Sequence, residues 1–491
     1  MIQNSRAAWS FSLACSLLFA LTAIMSAQNQ HIFDKPQSGG YLAAEAFKSG
    51  ALRPQGAVTN RISPPSLTCS PAPCVFTPVN ASEGGTNPVN EDPISVNPTN
   101  SMNLLTGAND YNCGNIQGYF ASQDGGTTWS HVCSGGSGGD GDPIVGFDLN
   151  GVAYAGGIQN SGIAVASSTN GGATFGTFKQ VIKPELGSLS DKPWMEIDTN
   201  PASPFKNDIY ISTTQFATNS NSQIWVAHSA DGGKTFTDVA VSALAKYPST
   251  VNQFSDLAVG ADGTVYLNWI NCPASNGNPP YCGGQVTNIM FSKSSDGGTT
   301  WSTPSVATTV TLVTDPTGCC FYGTLPNTGE RVSDIPSNGV IGSGATARVS
   351  FAVYNWTGTQ MQQEVVTSTN GGSTWGTPVI VNATSTTGDQ FFQWLNINQK
   401  NGRVGVTWLD RRNDPSNLSY QPFFAYSANG GKSFSAGHAL SSKKSNPDND
   451  GFGGTFMGDY TGNAWNGKAL YQSYMDTTTK TCQDFVTGVT F

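Results

Sequence analysis

Aspartates that recur at the start of short apolar runs are the first residues in this chain able to do chemistry. They read Asp92-Pro93-Ile94-Ser95-Val96, Asp142-Pro143-Ile144-Val145, Asp191-Lys192-Pro193-Trp194-Met195 and Asp256-Leu257-Ala258-Val259, with fainter copies at Asp334 and Asp389 and a last one at Asp459. A second group is the run Trp408-Leu409-Asp410-Arg411-Arg412-Asn413-Asp414, which stands out because no Arg lies between Arg61 and Arg331. Paired carboxyl groups supply the acid and the base or nucleophile of glycoside cleavage, and a planar guanidinium orients a sugar through forked hydrogen bonds. The candidate catalytic carboxyls are therefore Asp142, Asp191, Asp334, Asp410 and Asp459, with Arg331, Arg411 and Arg412 orienting an acidic or neutral sugar. Tyr460 beside Arg411 would serve as the base of a polysaccharide lyase. Each group also has a plainer reading. A repeated strand-opening Asp caps its own turn, a ring of such carboxylates could bind a cation, and Asp410 can simply pair with a neighbouring Arg.

The elements that must position these residues are marked by a turn. Six copies of Ser-x-(Asp/Asn)-Gly-Gly-x-(Thr/Ser)-(Trp/Phe) begin at Ser122, Ser168, Ser229, Ser294, Ser368 and Ser427 and end on Trp129, Phe175, Phe236, Trp301, Trp375 and Phe434. Their third position is Asp124, Asn170, Asp231, Asp296, Asn370 and Asn429, so an amide serves as well as a carboxylate. That points to a turn held by an oxygen acceptor, with glycines supplying positive φ and an aromatic packed between sheets. Two apolar strands precede every copy. A seventh unit follows the last, with strands near Ala469–Tyr474 and Cys482–Phe491 but no turn and no fourth strand, and Cys74–Val79 is placed to supply it. The expected fold is an all-β propeller of seven blades, six being the alternative, closed by that N-terminal strand. Strand direction puts the six turns on one face. The strand-opening aspartates, Asp410 to Asp414 and the long loops around 272–282 and 302–332 then gather on the opposite, top face.

Composition narrows the classes further. The net charge of -9 and the lack of any long basic run leave no footprint for nucleic acid. Arg6, an apolar run to about Met25 and small residues to Ala27 have the order of a secretory signal peptide, residues 1–27. Residues 28–73 read as a Pro/Ser-rich leader with one short helix near Leu42–Phe47, and 74–491 as the propeller. No second apolar span follows, so the mature chain is expected off the membrane, as a monomer, secreted, periplasmic or at the cell surface. Cysteine spacing suggests bridges Cys69–Cys74, Cys113–Cys133 and Cys272–Cys282, with one thiol left over after the signal is removed. No cofactor is required. Asn446, Asp448 and Asp450 have the spacing of a calcium loop, although Met457 stands where its last acidic ligand belongs.

With these motifs in place, the chain resembles the sialidase-like superfamily of Asp-box (BNR) propellers over Asp92 to Phe491. Its linked elements Asp191-Lys192-Pro193-Trp194, the Trp408–Asp414 run continuing into Pro415, and Gly458-Asp459-Tyr460-Thr461-Gly462 are similar to exported bacterial proteins described as exo-α-sialidases. The resemblance implies a glycan-cleaving site on the face opposite the boxes. It also implies three arginines gripping the substrate carboxylate, a Tyr nucleophile assisted by Glu, and an Asp acid/base. Arg331 and Arg411 stand for two of the arginines, Arg61 in Arg61-Ile62-Ser63-Pro64 for the first, Tyr460 for the nucleophile and Glu330 for its partner. A non-catalytic glycan- or protein-binding propeller is the alternative function.

Overall fold

The computed structural model describes residues 32–54 and 73–491, apart from 83–84, 136–137, 274–280 and 382–386. Seven antiparallel sheets follow one another along the chain as the blades of a propeller. The third blade is typical: an inner strand Leu189–Ile197, then Ile209–Phe216, Ser222–Ser229 and an outer strand Thr237–Ala240. The seventh holds Gly462–Trp465, Ala469–Asp476 and Gln483–Thr490, and its outermost strand is Cys74–Val75, with Cys74 opposite Thr490. Val79–Asn80 extends that pairing to Val486 and Phe485. The ring is thus closed by the N-terminal strand, as the incomplete seventh unit required.

The six turns show why Asp and Asn interchange. In one, the Ser294 hydroxyl donates to Asp296 Oδ1 (2.7 Å), Thr300 N–H donates to the same oxygen (2.9 Å), and the Thr300 hydroxyl donates to Oδ2 (2.5 Å). Another keeps the backbone bond, Thr374 N–H to Asn370 Oδ1 (2.9 Å), but Asn370 Nδ2 donates to the Thr374 hydroxyl (2.8 Å). A hydroxyl rotates to give or to accept, so either side chain closes the turn. Trp129 and Trp301 return their indole N–H to Gly126 and Gly298 carbonyls, both at 3.1 Å, and pack into the apolar layers between blades.

Bridges Cys113–Cys133 and Cys272–Cys282 form as expected. Cys319 and Cys320 are joined to each other, which spacing had not suggested, and the buried Cys482 is the free thiol. Cys74 is disulfide-bonded, while Cys69, its expected partner, lies outside the described residues, as does the signal-like segment. Among the described residues no helix is long and apolar enough to cross a membrane.

A channel of about 1060 Å³ runs up the axis from the face that carries the six turns, between inner-strand residues such as Glu196, Asn396 and Trp465. Trp194 and Trp394, with ring centroids 4.4 Å apart, close its inner end, and Tyr460 packs edge-on against Trp194. The opposite mouth is filled by the leader. Its helix, Gly39–Lys48 (α1), covers the leader region where Leu42–Phe47 was expected to be helical. Leu42, Ala43, Ala44 and Ala46 of α1 pack against Tyr111, Ile116, Phe452, Phe456 and the Cys319–Cys320 bridge.

Candidate active site under the leader helix

The mouth is built by irregularities at the tops of the inner strands. In the third blade Asp191 pairs with Thr214 and Trp194 with Ser212, so the inner strand carries one residue more than its neighbour. The same surplus lies between Gln253 and Asp256 and between Phe391 and Trp394. A bulge of this kind needs a residue turned out of the pleat. Here those residues are Lys192, Phe254 and Phe392, with φ of 41°, 59° and 51°, and in the first two blades Glu91 (64°) and Asp142 (52°) hold the corresponding conformation. Left-handed backbone at non-glycine residues costs free energy, and its concentration at one mouth marks a place where side-chain direction has been imposed. Of these turned-out residues, the charged ones belong to the first three blades and the aromatic ones to the fourth and sixth.

Glu91, Asp142, Asp191, Lys192, Arg331 and Asp459 meet there, all fully buried. Arg331 grips Asp459 with two bonds, Nε to Oδ1 (2.8 Å) and Nη2 to Oδ2 (2.9 Å). Lys192 Nζ lies 3.9 Å from the Tyr460 ring centroid and 4.6 Å from that of Trp194, and has no hydrogen-bond partner among the described residues. Burial pulls its pKa down, opposed by the charges of Asp142, Glu91, Asp256 and Asp459. Glu91 is pushed well above the usual carboxyl range by burial and then by the charges of Asp142 and Asp459. Asp142 is raised to about 7, by burial and the Asp191 charge, while Ser38 and Lys192 hold it down. Burial and like charge thus raise both neighbouring carboxyls, and the two titrate as a pair.

The leader lies directly on this cluster. Ser38 donates its N–H to Asp191 Oδ2 (2.8 Å) and its hydroxyl to Oδ1 (2.9 Å), and Gly39 N–H donates to Asp459 Oδ2 (2.7 Å). A Cβ on Gly40 would lie 2.2 Å from both Asp142 Oδ1 and Glu91 Oε2, and one on Gly39 would lie 2.2 Å from Phe456 Cε2. Only a Ser-Gly-Gly backbone fits. Tyr322 OH and Gln253 Nε2 donate to Pro36 O (2.7 and 3.2 Å), Arg331 Nη2 donates to Gln37 O (3.1 Å), and Lys48 pairs with Asp140.

Of the residues singled out from the sequence, Asp142, Asp191, Asp459, Arg331 and Tyr460 come together here. The Tyr460 hydroxyl donates to Pro143 O (3.3 Å), and burial followed by the Glu91 and Asp142 charges holds its proton on. The others lie among different partners. Asp410 accepts from the Trp408 indole (2.6 Å) and from Arg412 Nε (2.9 Å), so these two neighbours pair with each other. Arg411 donates through Nη1 to Pro326 O (2.6 Å) and sits 3.9 Å from Asp389, away from the carboxylate that Arg331 holds. Asp334 accepts from Tyr354 N–H (3.0 Å) and Gln393 Nε2 (2.6 Å). Glu330 is buried with its proton held by burial and the nearby Asp450 charge. In the calcium-like loop, both oxygens of Asp450 accept backbone N–H groups, from Phe452 and Gly454 and from Thr455 and Phe456, at 2.8 to 2.9 Å. Arg61 lies outside the described residues.

Sequence reasoning missed Glu91, Lys192 and the Ser38-Gly39-Gly40 turn. The first two stand beside strand-opening aspartates already singled out, and a charged neighbour there, in a chain whose charged residues are only 11%, was the available signal.

No protein-family model matches the chain, and no curated protein matches it. Among solved structures it is similar to a PL25 ulvan lyase (TM-score 0.47, 12% identity, covering 82% of this chain and 94% of that one). It is also similar to the Hadza microbial sialidase Hz136 (0.42, 15%, 70% and 64%). A third is the GH93 α-L-arabinofuranosidase of Fusarium graminearum (0.40, 12%, 71% and 92%). At these identities the likeness is one of fold.

Proposed function

We propose that this chain is a glycan-acting enzyme of the hydrolase type, working at the top mouth of the propeller. Glu91 is its proton donor and Asp142 the paired carboxylate. Asp191 and Asp459 bind sugar hydroxyls, and Lys192 holds the excess negative charge in check. The observation that carries this reading is the meeting of two buried carboxyls, through Glu91 Oε2 and Asp142 Oδ1, at the single point where a Cβ on Gly40 would stand. Tyr460 is a poor base in such surroundings, since burial and two neighbouring carboxyls keep its proton on, and this weighs against a Tyr-based lyase. The test is product release from a panel of neutral, amino, sialylated and uronate-containing oligosaccharides by the protein with its leader displaced. Glu91→Gln and Asp142→Asn should each lower kcat by roughly 100-fold or more while melting like the parent. Full activity in both variants, or no product from any glycan, would remove the proposal.

A further inference from the structure

The Ser38-Gly39-Gly40 turn fills the mouth in the way a ligand would. Its groups are hydrogen-bond donors: two backbone N–H and one hydroxyl, directed at Asp191 and Asp459. It brings no side chain into the space beside Glu91 and Asp142. Around it, four carboxyl groups face two cations, and one of those, Arg331, already gives two of its N–H groups to Asp459. Lys192 Nζ, fully buried over the Tyr460 and Trp194 rings, has no hydrogen-bond partner among the described residues, and Asp142 Oδ1 lies where a side chain on Gly40 would stand. A buried ammonium or carboxylate oxygen left unmatched by its covering segment is matched better by something else.

We infer that residues 32–54 are a displaceable plug, the built-in occupant of a subsite for a donor-rich ligand that is uncharged or cationic. A neutral or amino sugar presents hydroxyl or ammonium donors where Ser38 and Gly39 now stand. A sialic acid or uronate would set its own carboxylate against Asp191 and Asp459, and Arg331, whose Nε and Nη2 are already held by Asp459, has only Nη1 left to meet it. The plug carries the features of a reversible cover. It contacts the cluster through two backbone N–H groups and the Ser38 hydroxyl, which sugar hydroxyls replace one for one, and its remaining hold is the bonds that Pro36 O and Gln37 O accept, the apolar face of α1 and the Lys48–Asp140 pair. The substrate class rests on the enzyme reading above, whereas the plug does not.

Gly40→Leu in the full chain tests both and keeps them apart, because a side chain there cannot share the space with Glu91 and Asp142. Leu42→Asp, which puts a charge on the buried face of α1, is a second route to the same opening and touches no residue of the propeller. Opening is read without any glycan, by carbodiimide coupling of glycine ethyl ester to carboxyl groups, located by mass spectrometry. Glu91, Asp142, Asp191 and Asp459 should be protected in the parent and labelled at least tenfold faster in both variants, with trypsin cleavage after Lys48 rising in step. Cleavage that rises while these carboxyls stay protected overturns the plug. Neutral and chitosan oligosaccharides should bind the opened protein at least tenfold more tightly than the parent, and oligogalacturonate should not. Tighter oligogalacturonate binding overturns the ligand class. Labelled carboxyls with no oligosaccharide bound at all would dismiss the glycan reading and leave the plug standing.

Discussion

The two faces of this propeller use aspartate in opposite ways. On the face with the six turns, Asp231 and Asp296 are exposed and surrounded by donors, and hydrogen bonds from Thr235 and Thr300 hold both below the ordinary carboxyl range, Asp296 at about 2. At the top mouth Asp142 is buried, with its value raised to about 7. Burial is the largest cause of that rise, and it raises Asp450 too, although four backbone N–H groups surround that carboxylate. What distinguishes the mouth is like charges crowded on strained backbone, with a distant segment that offers them two main-chain N–H groups and the Ser38 hydroxyl laid over them. The lesson is that a carboxylate satisfied by its own turn is scaffold, whereas one satisfied only by a distant segment is available to a ligand.

The contrast breaks most readily at Arg331. Replacing it with Leu leaves Asp459 buried and unmatched, and should cost about 3–5 kcal/mol of unfolding free energy in denaturant titration. A loss under 1 kcal/mol would mean that Asp459 is neutral and the mouth less charged than described. The pH dependence comes next. Asp142, Asp256 and Asp484 at about 7 and Asp334 at about 8 bind protons in the folded chain that the unfolded chain releases near pH 4. Stability should therefore be highest below about pH 5 and fall as pH rises toward 8. Lys192, whose pKa is lowered, works the other way: it gives up its proton in the folded chain before the unfolded chain does, so its contribution rises with pH through that window. The turn face has the other sign: its depressed carboxylates lose their contribution only as pH falls below about 4. A midpoint that climbs from pH 5 to 8 would contradict the raised values of these buried carboxyls.

Between the faces stands the Asp410–Arg412 pair. Arg412→Leu should cost about 1–3 kcal/mol, less than Arg331→Leu, because Asp410 keeps the Trp408 indole. Smallest of all, Asp296→Asn should change stability by no more than about 0.5 kcal/mol, since Asn370 closes the same turn with its hydroxyl partner reversed. A larger loss would give the exposed carboxylate a role beyond the turn.

The blades were legible in the sequence because each is written locally: a turn signature, two apolar strands and an aromatic at fixed spacing. Even the closing strand could be placed, since a seventh unit lacking its outer strand must borrow one. The mouth was legible only in part. Strand direction put Asp142, Asp191 and Asp459 on the right face, but the bulges that turn Glu91 and Lys192 inward depend on pairing with a neighbouring strand, which no local pattern records. Arg411 stood out by its rarity, and its direction was set instead by the Pro326 carbonyl, 85 residues away. The covering role of Ser38-Gly39-Gly40 was hidden for the same reason, since its partners come from blades three and seven.

Gly39 reaches an aspartate 420 residues further along the chain. A polypeptide delivered from its N-terminus therefore brings out the plug first and the last of its sockets almost at the end. Cys74–Val75 must likewise wait for Gln483–Thr490 before the ring can shut. Seating of the plug thus signals a finished ring: a truncated or misassembled chain that lacks the seventh blade has no Asp459 to receive Gly39, and its leader stays open to proteases that the completed protein resists.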